Sequence, residues 1–263
     1  MEKIIKNLSY FSLILLIIIV SILFIYPFYR ADFILDNKIF SAMIGTFEIG
    51  IFSMIFGGIL AISTAIYNVF YCKKRKKVLS AIIRCSAGIP SILLGLFGYH
   101  FFVIKMSLGR CMLSSSLTLG IMIFPYIEIE LERCFDEVSK DLIDMSESLG
   151  VSKEYMLVKL IFPVCRVEIL NILTLASGFA MGATAPIILT GAIMYGRTGG
   201  LMKPFMALPY HIYILTSEGI SVEGAFTASS ILLVMVLLLN LGAKKIFNFI
   251  INFQKNSRMS KVK

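Results

Sequence analysis

Residues 144–163 read Asp-Met-Ser-Glu-Ser-Leu-Gly-Val-Ser-Lys-Glu-Tyr-Met-Leu-Val-Lys-Leu-Ile-Phe-Pro, the middle of the longest polar interval in an otherwise oily chain. Just upstream, Val138, Leu142, Met145 and Leu149 recur at i, i+4, i+7 and i+11. That spacing gathers four apolar side chains on one helical face and leaves Lys140, Asp141, Asp144 and Glu147 elsewhere. Gly150 stands where a left-handed C-cap turns a chain. Ser152 stands where an N-cap starts a second short helix, which Pro163 is expected to stop. Helix, glycine elbow, helix, proline is therefore the order predicted over 138–165. Such an elbow suits docking to a partner, because its polar side faces water while its apolar stripe needs a cover. An amphipathic linker shows the same periodicity, and periodicity alone does not separate the two.

The surroundings of the elbow fix the class. Of 263 residues, 58% are hydrophobic and only 16% charged, with a mean hydropathy of +0.87, more apolar than a water-facing surface permits. Several runs reach the roughly 20 residues that a helix needs to cross a bilayer. Six spans are expected, near 8–29, 40–70, 79–104, 111–127, 167–190 and 224–241. The fold class is thus an all-α polytopic membrane protein with six transmembrane helices. The first run follows Lys3 and Lys6, but it is longer than a signal-peptide core and no small-x-small cleavage site follows, so it reads as a retained span. Residues 1–39 form a tail, first span and external loop, residues 40–250 a five-span core, and residues 251–263 a basic tail, disordered beyond Phe253.

Inside the spans a few residues depart from plain hydrocarbon. Gly45, Gly50, Gly57 and Gly58 in the second permit close helix approach. Glu48 in the same span is a candidate functional carboxylate, since charge at membrane depth is expensive, although an interfacial, hydrated position is the plainer reading. The third span is expected to kink at Gly88-Ile89-Pro90-Ser91, and the fifth breaks at Ala183-Thr184-Ala185-Pro186. Either break can line a pathway or serve packing alone. The acidic segment Glu128 to Glu154 reads as a solvated helical face, and the external stretch 191–223 has room for a short interfacial or re-entrant helix.

The net charge of +9 could suggest nucleic acid. However, Lys and Arg sit in blocks at span ends, such as Lys73-Lys74-Arg75-Lys76-Lys77, with no aromatic interleaving. With both termini in the cytoplasm, 19 of the 25 basic residues fall on that side and 6 outside, the bias that sets membrane orientation. The elbow then lies in the cytoplasm. The five cysteines show no paired or metal-binding spacing and are expected to be free thiols. No phosphate-binding G-x-x-x-x-G-K-[ST] run, H-E-x-x-H or G-x-S-x-G occurs, so neither an enzyme active site nor a cofactor is expected.

The elbow spacing resembles the Glu-Ala-Ala, three residues, Gly, nine residues, Ile-x-Leu-Pro signature of ABC importer permeases. Asp144, Met145 and Ser146 take the first three places, Gly150 the glycine, and Leu160, Phe162 and Pro163 the close. Further blocks follow in order: Gly45-Thr46 with Ala65-Ile66-Tyr67, Gly88-Ile89-Pro90-Ser91-Ile92 with Gly95-Leu96-Phe97-Gly98, Thr184-Ala185-Pro186, Ala207-Leu208-Pro209 with Ile212-Tyr213, and Asn240-Leu241. Together they resemble the PstA-type permease of the phosphate-specific ABC importer. One departure stands out: the family's Arg-Ala-x-Gly-Glu-Thr-Ala-Pro is here Phe179-Ala180-Met181-Gly182-Ala183-Thr184-Ala185-Pro186, without the Arg and the Glu.

The resemblance implies a membrane-embedded, non-catalytic transport subunit in the cell membrane. Its expected partners are the lipid bilayer, a second, PstC-like permease, a PstB-like ATPase dimer at the elbow, and an external PstS-like phosphate-binding protein. Glu48, Pro90, Ser91, Thr184 and Pro186 are the expected pathway residues. A permease for another oxyanion or small solute, or a non-transporting scaffold or channel, remains an alternative.

Overall fold

Where no water reaches the backbone, each N–H and C=O must find its partner within the same segment, and long helices result. The computed structural model describes residues 2–33, 37–72, 75–138, 145–146, 148–193 and 200–260, the side chains of 2–5 and 246–260 excepted. Among the described residues it is all-α, with a single isolated bridge between Ala192 and Phe205. Helix α1 is Glu2–Arg30. Helix α2, Asn37–Ile66, continues in a wide π-helical turn, Tyr67–Tyr71. Helices α3, Lys76–Ser86, and α4, Ser91–Gly98, follow, the latter extended by π-helical Tyr99–Lys105. Helix α5 is Met112–Asp136. Beyond the elbow, α6, Lys153–Met156, passes through π-helical Leu157–Ile161 into α7, Phe162–Gly182. Helices α8, Ala185–Thr190, α9, Leu208–Ser217, and α10, Val222–Ser260, complete the chain.

Among the described residues four helices are long and apolar enough to cross a membrane: Lys6–Arg30, Asn37–Tyr71, Met112–Asp136 and Val222–Lys245. The α3–α4 pair makes a fifth if it is one span, yet it bends by 93° at its break. The third predicted span is therefore two arms rather than one kinked rod. The reason is compositional: Lys76, Lys77 and Arg84 make α3 amphipathic, whereas α4, Ser-Ile-Leu-Leu-Gly-Leu-Phe-Gly, is apolar. The predicted fifth span, 167–190, is α7 and α8, interrupted at Ala183–Thr184.

Three local expectations are corrected. Pro163 does not stop a helix: α6 and α7 run through it, with Pro163 in the first turn of α7 directly after the wide turn 157–161. There its missing N–H and ring clash are absorbed. The acidic segment is not a uniformly solvated face, since Glu128 is fully buried and Glu132 nearly so. Helix α10 continues to Ser260, past the expected onset of disorder, with no Gly or Pro after Gly242 to end it.

The core is organised on α2 and α5. Lipid tails are as apolar as leucine, so inside a bilayer helices are held by close approach and packing more than by hydrophobic transfer. A Cβ on Gly57 would lie 2.7 Å from the Gly120 carbonyl oxygen, so the two backbones touch where α2 crosses α5. Ile49, Leu119, Ile123, Ile127, Leu131, Phe135, Ile161, Ala176 and Ala180 fill the space around this crossing. At the other side α2 meets the segment before α9. Gly45 accommodates the Met206 carbonyl, and the buried Thr46 hydroxyl accepts the Leu208 N–H at 2.7 Å. The expected short helix in the 191–223 stretch is α9. Helix α1 packs on α10, with Tyr26 and Phe226 edge to face at 5.5 Å, and its apolar side chains are otherwise uncovered.

Candidate coupling site

The elbow closes by backbone chemistry. The Leu149 N–H donates to the Met145 carbonyl and the Val151 N–H to the Ser146 carbonyl, each at 3.1 Å. Gly150 between them has φ +70°. A six-residue bond closing over a left-handed residue is the Schellman arrangement, which only glycine adopts without steric cost. Ser152 then caps α6, its hydroxyl accepting the Tyr155 N–H at 3.3 Å. Both backbone expectations hold. Asp144, like Leu142 and Glu147, lies outside the described residues.

Two faces separate along this hinge. Inward, Met156, Leu157 and Ile161 are buried, and Val151, Leu160 and Phe162 pack beside them in the core. Phe162 lies edge-on to Phe135 at 6.3 Å, and Phe135 meets Phe70 at 6.0 Å. A line of three rings thus joins α7, α5 and the end of α2. Outward, Met145 is 63% exposed, Leu149 79%, Tyr155 60% and Val158 59%. Of the predicted stripe, Val138 is buried by the chain itself, while Met145 and Leu149 are left uncovered. Pro163 is exposed. Tyr71, at the end of α2, flanks the hinge: the Lys153 ammonium sits 5.7 Å from its ring centroid, and its hydroxyl makes a long 3.5 Å contact to Glu154. Cys165, at the start of α7, contacts the Cys134 carbonyl at 3.8 Å, and burial pushes its thiol pKa up.

Beside the rings lies a polar cluster that the sequence reading missed. The buried Asn68 amide donates to Ser80 Oγ at 3.0 Å and, at 3.4 Å, to Glu128 Oε1. Ser80 donates to Glu132 Oε1 at 2.9 Å. Lys76 grips both oxygens of Asp136 at 2.6 and 2.7 Å and stands 3.6 Å from Glu132. The cluster staples α3 to α5 and to the end of α2. One signal for it existed: Glu128 and Glu132 share the i, i+3, i+4, i+7 stripe of Leu131 and Phe135.

The predicted pathway residues are only partly brought together. The two helix breaks meet, because a Cβ on Gly95 in α4 would lie 3.0 Å from Cα of Pro186 in α8. Pro186 is buried, and Thr184 is partly buried as the N-cap of α8. Pro90 and Ser91 are exposed at the start of α4. Glu48 stands half-buried on α2, whose main neighbours are α5, α7 and α9, so it does not join the two breaks. Phe179, in place of the family's arginine, is 61% exposed and meets Tyr126 edge to face at 5.1 Å.

Known proteins are similar to this chain in sequence and in fold. Over 214 residues the chain is 27% identical to the phosphate transport system permease protein PstA 2 of Mycobacterium bovis, covering 80% of this chain and 71% of that one. Over 209 residues it is 25% identical to a probable phosphate transport system permease protein PstA of Methanocaldococcus jannaschii, covering 77% and 72%. Among solved structures, a bacterial ABC transporter that imports the acidic polysaccharide alginate aligns with a TM-score of 0.64 at 16% identity, covering 93% of this chain and 98% of that one. The inward-facing MetNI methionine ABC transporter aligns at 0.62 and 18%, covering 80% and 93%. The fold is therefore that of an ABC importer transmembrane subunit. Residues 53–250 match the family model of the binding-protein-dependent transport system inner membrane component, and the chain belongs to that family of multi-pass membrane proteins.

Proposed function

We propose that this chain is a permease subunit for inorganic phosphate uptake, and that its elbow, Met145–Pro163, docks on a separate ATPase. The observation that carries the docking is the uncovered apolar set Met145, Leu149, Tyr155 and Val158 on a hinge whose opposite face is locked into the core. Apolar side chains presented by a rigid backbone are what a partner groove buries. The substrate rests on the relatives, whose names are phosphate permeases. The 19 to 6 distribution of Lys and Arg supports an orientation with both termini and the elbow in the cytoplasm.

In this reading a second, related permease completes the pathway, and an external binding protein delivers the anion. ATPase closure moves the elbow as a lever, and the ring line Phe162–Phe135–Phe70 carries that motion to α5 and α2 as a switch between two packings. Ser91 and Thr184, at the two breaks, would contact the substrate. A transported anion needs weak, distributed donors rather than a tight basic site. ATP-dependent phosphate uptake by the reconstituted complex, with and without this subunit, tests the proposal. Uptake that is unaffected by its omission overturns it.

A second reading is favoured by one observation. Phe179 and Ala183 replace the family's paired charges, and Phe179 lies against Tyr126, so this part of α7 is apolar. Another oxyanion or small solute is then the cargo. Competition of phosphate uptake by other oxyanions separates the two.

A further inference from the structure

We propose that Asn68, Glu128 and Glu132 form a binding site for one small monovalent cation, a proton or an alkali-metal ion. The cluster holds more acceptors than donors. Asn68 spends its amide N–H groups on Ser80 and Glu128, and Ser80 spends its hydroxyl on Glu132. Lys76, the ammonium that reaches the cluster among the described residues, is chelated by Asp136 at 2.6 and 2.7 Å and is 3.6 Å from Glu132 Oε1. Three buried oxygens are then left with no hydrogen-bond partner: Asn68 Oδ1, Glu128 Oε2 and Glu132 Oε2. Asn68 and Glu128 are 0% exposed and Glu132 5%.

All three orphans are acceptors. They belong to side chains already bonded to one another directly or through Ser80, so they lie in one buried cluster. Buried acceptors without donors are costly, and a second desolvated carboxylate four residues from the first is costlier still. Among the described residues, the charges facing the site are Glu132 and Asp136 from α5, and Lys76 and, at longer range, Arg84 from α3, while the end of α2 contributes the neutral Asn68. A water molecule could donate to two of the oxygens, but it would leave the buried Glu128 carboxylate, which has no ion pair among the described residues, without a compensating charge. A cation satisfies both demands: a proton turns one carboxylate into a donor, and an alkali-metal ion accepts lone pairs from all three oxygens. The site lies at the seam where α3 closes on α5, one helical turn from Phe135, so its occupancy sets how firmly α3 stays closed. The inference is independent of the cargo and of the ATPase.

The test is thermal unfolding of the full chain in lipid nanodiscs at constant ionic strength. One series exchanges N-methylglucamine chloride for NaCl or KCl at fixed pH, and another varies pH in the glucamine salt. Preferential binding to the folded state raises Tm by about 3 °C for each tenfold rise in the bound ion above its Kd. A slope with Na⁺ or K⁺ identifies an alkali-metal ion, and a slope with pH alone identifies a proton. Glu128→Gln or Glu132→Gln removes one buried charge, and either is expected to abolish the slope. Should neither variant fold, amide hydrogen exchange of the wild type locates the effect, with slowing by the ion expected at 66–84 and 126–136. A wild-type Tm flat in both series, slopes kept by both variants, or slowing confined elsewhere overturns the proposal.

Discussion

Replacing Gly150 by valine strains the hinge at a single backbone torsion. With φ at +70°, Gly150 is in the left-handed region, where an L side chain costs about 1–2 kcal/mol and a β-branched one falls at the upper end. A Cβ at this position meets nothing within 4 Å, so the whole penalty is torsional and no packing is lost. At about 2 kcal/mol the closed turn becomes roughly 30-fold less favoured relative to open alternatives, and the 3.1 Å bond from Val151 to Ser146 goes with it. The core-facing residues of α6 and α7 are untouched, so the subunit should still insert and assemble. ATP hydrolysis by the complex should persist while phosphate uptake per ATP falls several-fold. Gly150→Asn is the control, because asparagine tolerates the left-handed region and should retain most of the coupling. Equal uptake per ATP in the valine variant, the asparagine variant and the wild type would refute the lever.

Further expectations follow from other contacts. Gly57→Leu drives a side chain into the Gly120 carbonyl and Ile123 and should cost about 1–3 kcal/mol by overpacking. Gly88→Ala, whose nearest neighbour is the Cys85 carbonyl oxygen at 3.5 Å, should leave Tm almost unchanged. Thr46→Val orphans the buried Leu208 N–H and should lower stability by about 1–3 kcal/mol, with Thr46→Ser restoring it; thermal unfolding reads both pairs. For thiol labelling, the raised pKa of Cys165 means little thiolate at neutral pH. Its alkylation should lag that of exposed Cys85 and accelerate as pH rises, and equal rates at neutral pH would contradict its burial.

The elbow was legible because its signals are local: Gly150 and Ser152 act on backbone groups within five residues of themselves. The long apolar helices were legible for the same reason. What escaped depends on meetings across the chain. Asn68 is hidden in the apolar tail of α2, and only folding sets it against Ser80 and Glu128. Pro163 misled because a proline rule presumes α-helical spacing, whereas the preceding turn is wider. The breaks at Pro90 and Pro186 were visible, but their packing against each other rests on Gly95, which sequence marks only as small. Of the pathway residues, Glu48 was chosen for its charge alone, and charge does not say which helices face one another.

The π-helical stretch Leu157–Ile161 acts as a phase shifter. It holds one residue more than an α-turn, and one residue is about 100° of rotation about the axis. That offset re-phases α7 against α6, so that Leu157, Ile161, Cys165 and Ile169, spaced by four, all stay buried on a rod whose other end is phased to α5. Deleting a single residue there would keep the helix and its hydrophobicity, yet present the wrong side to both neighbours.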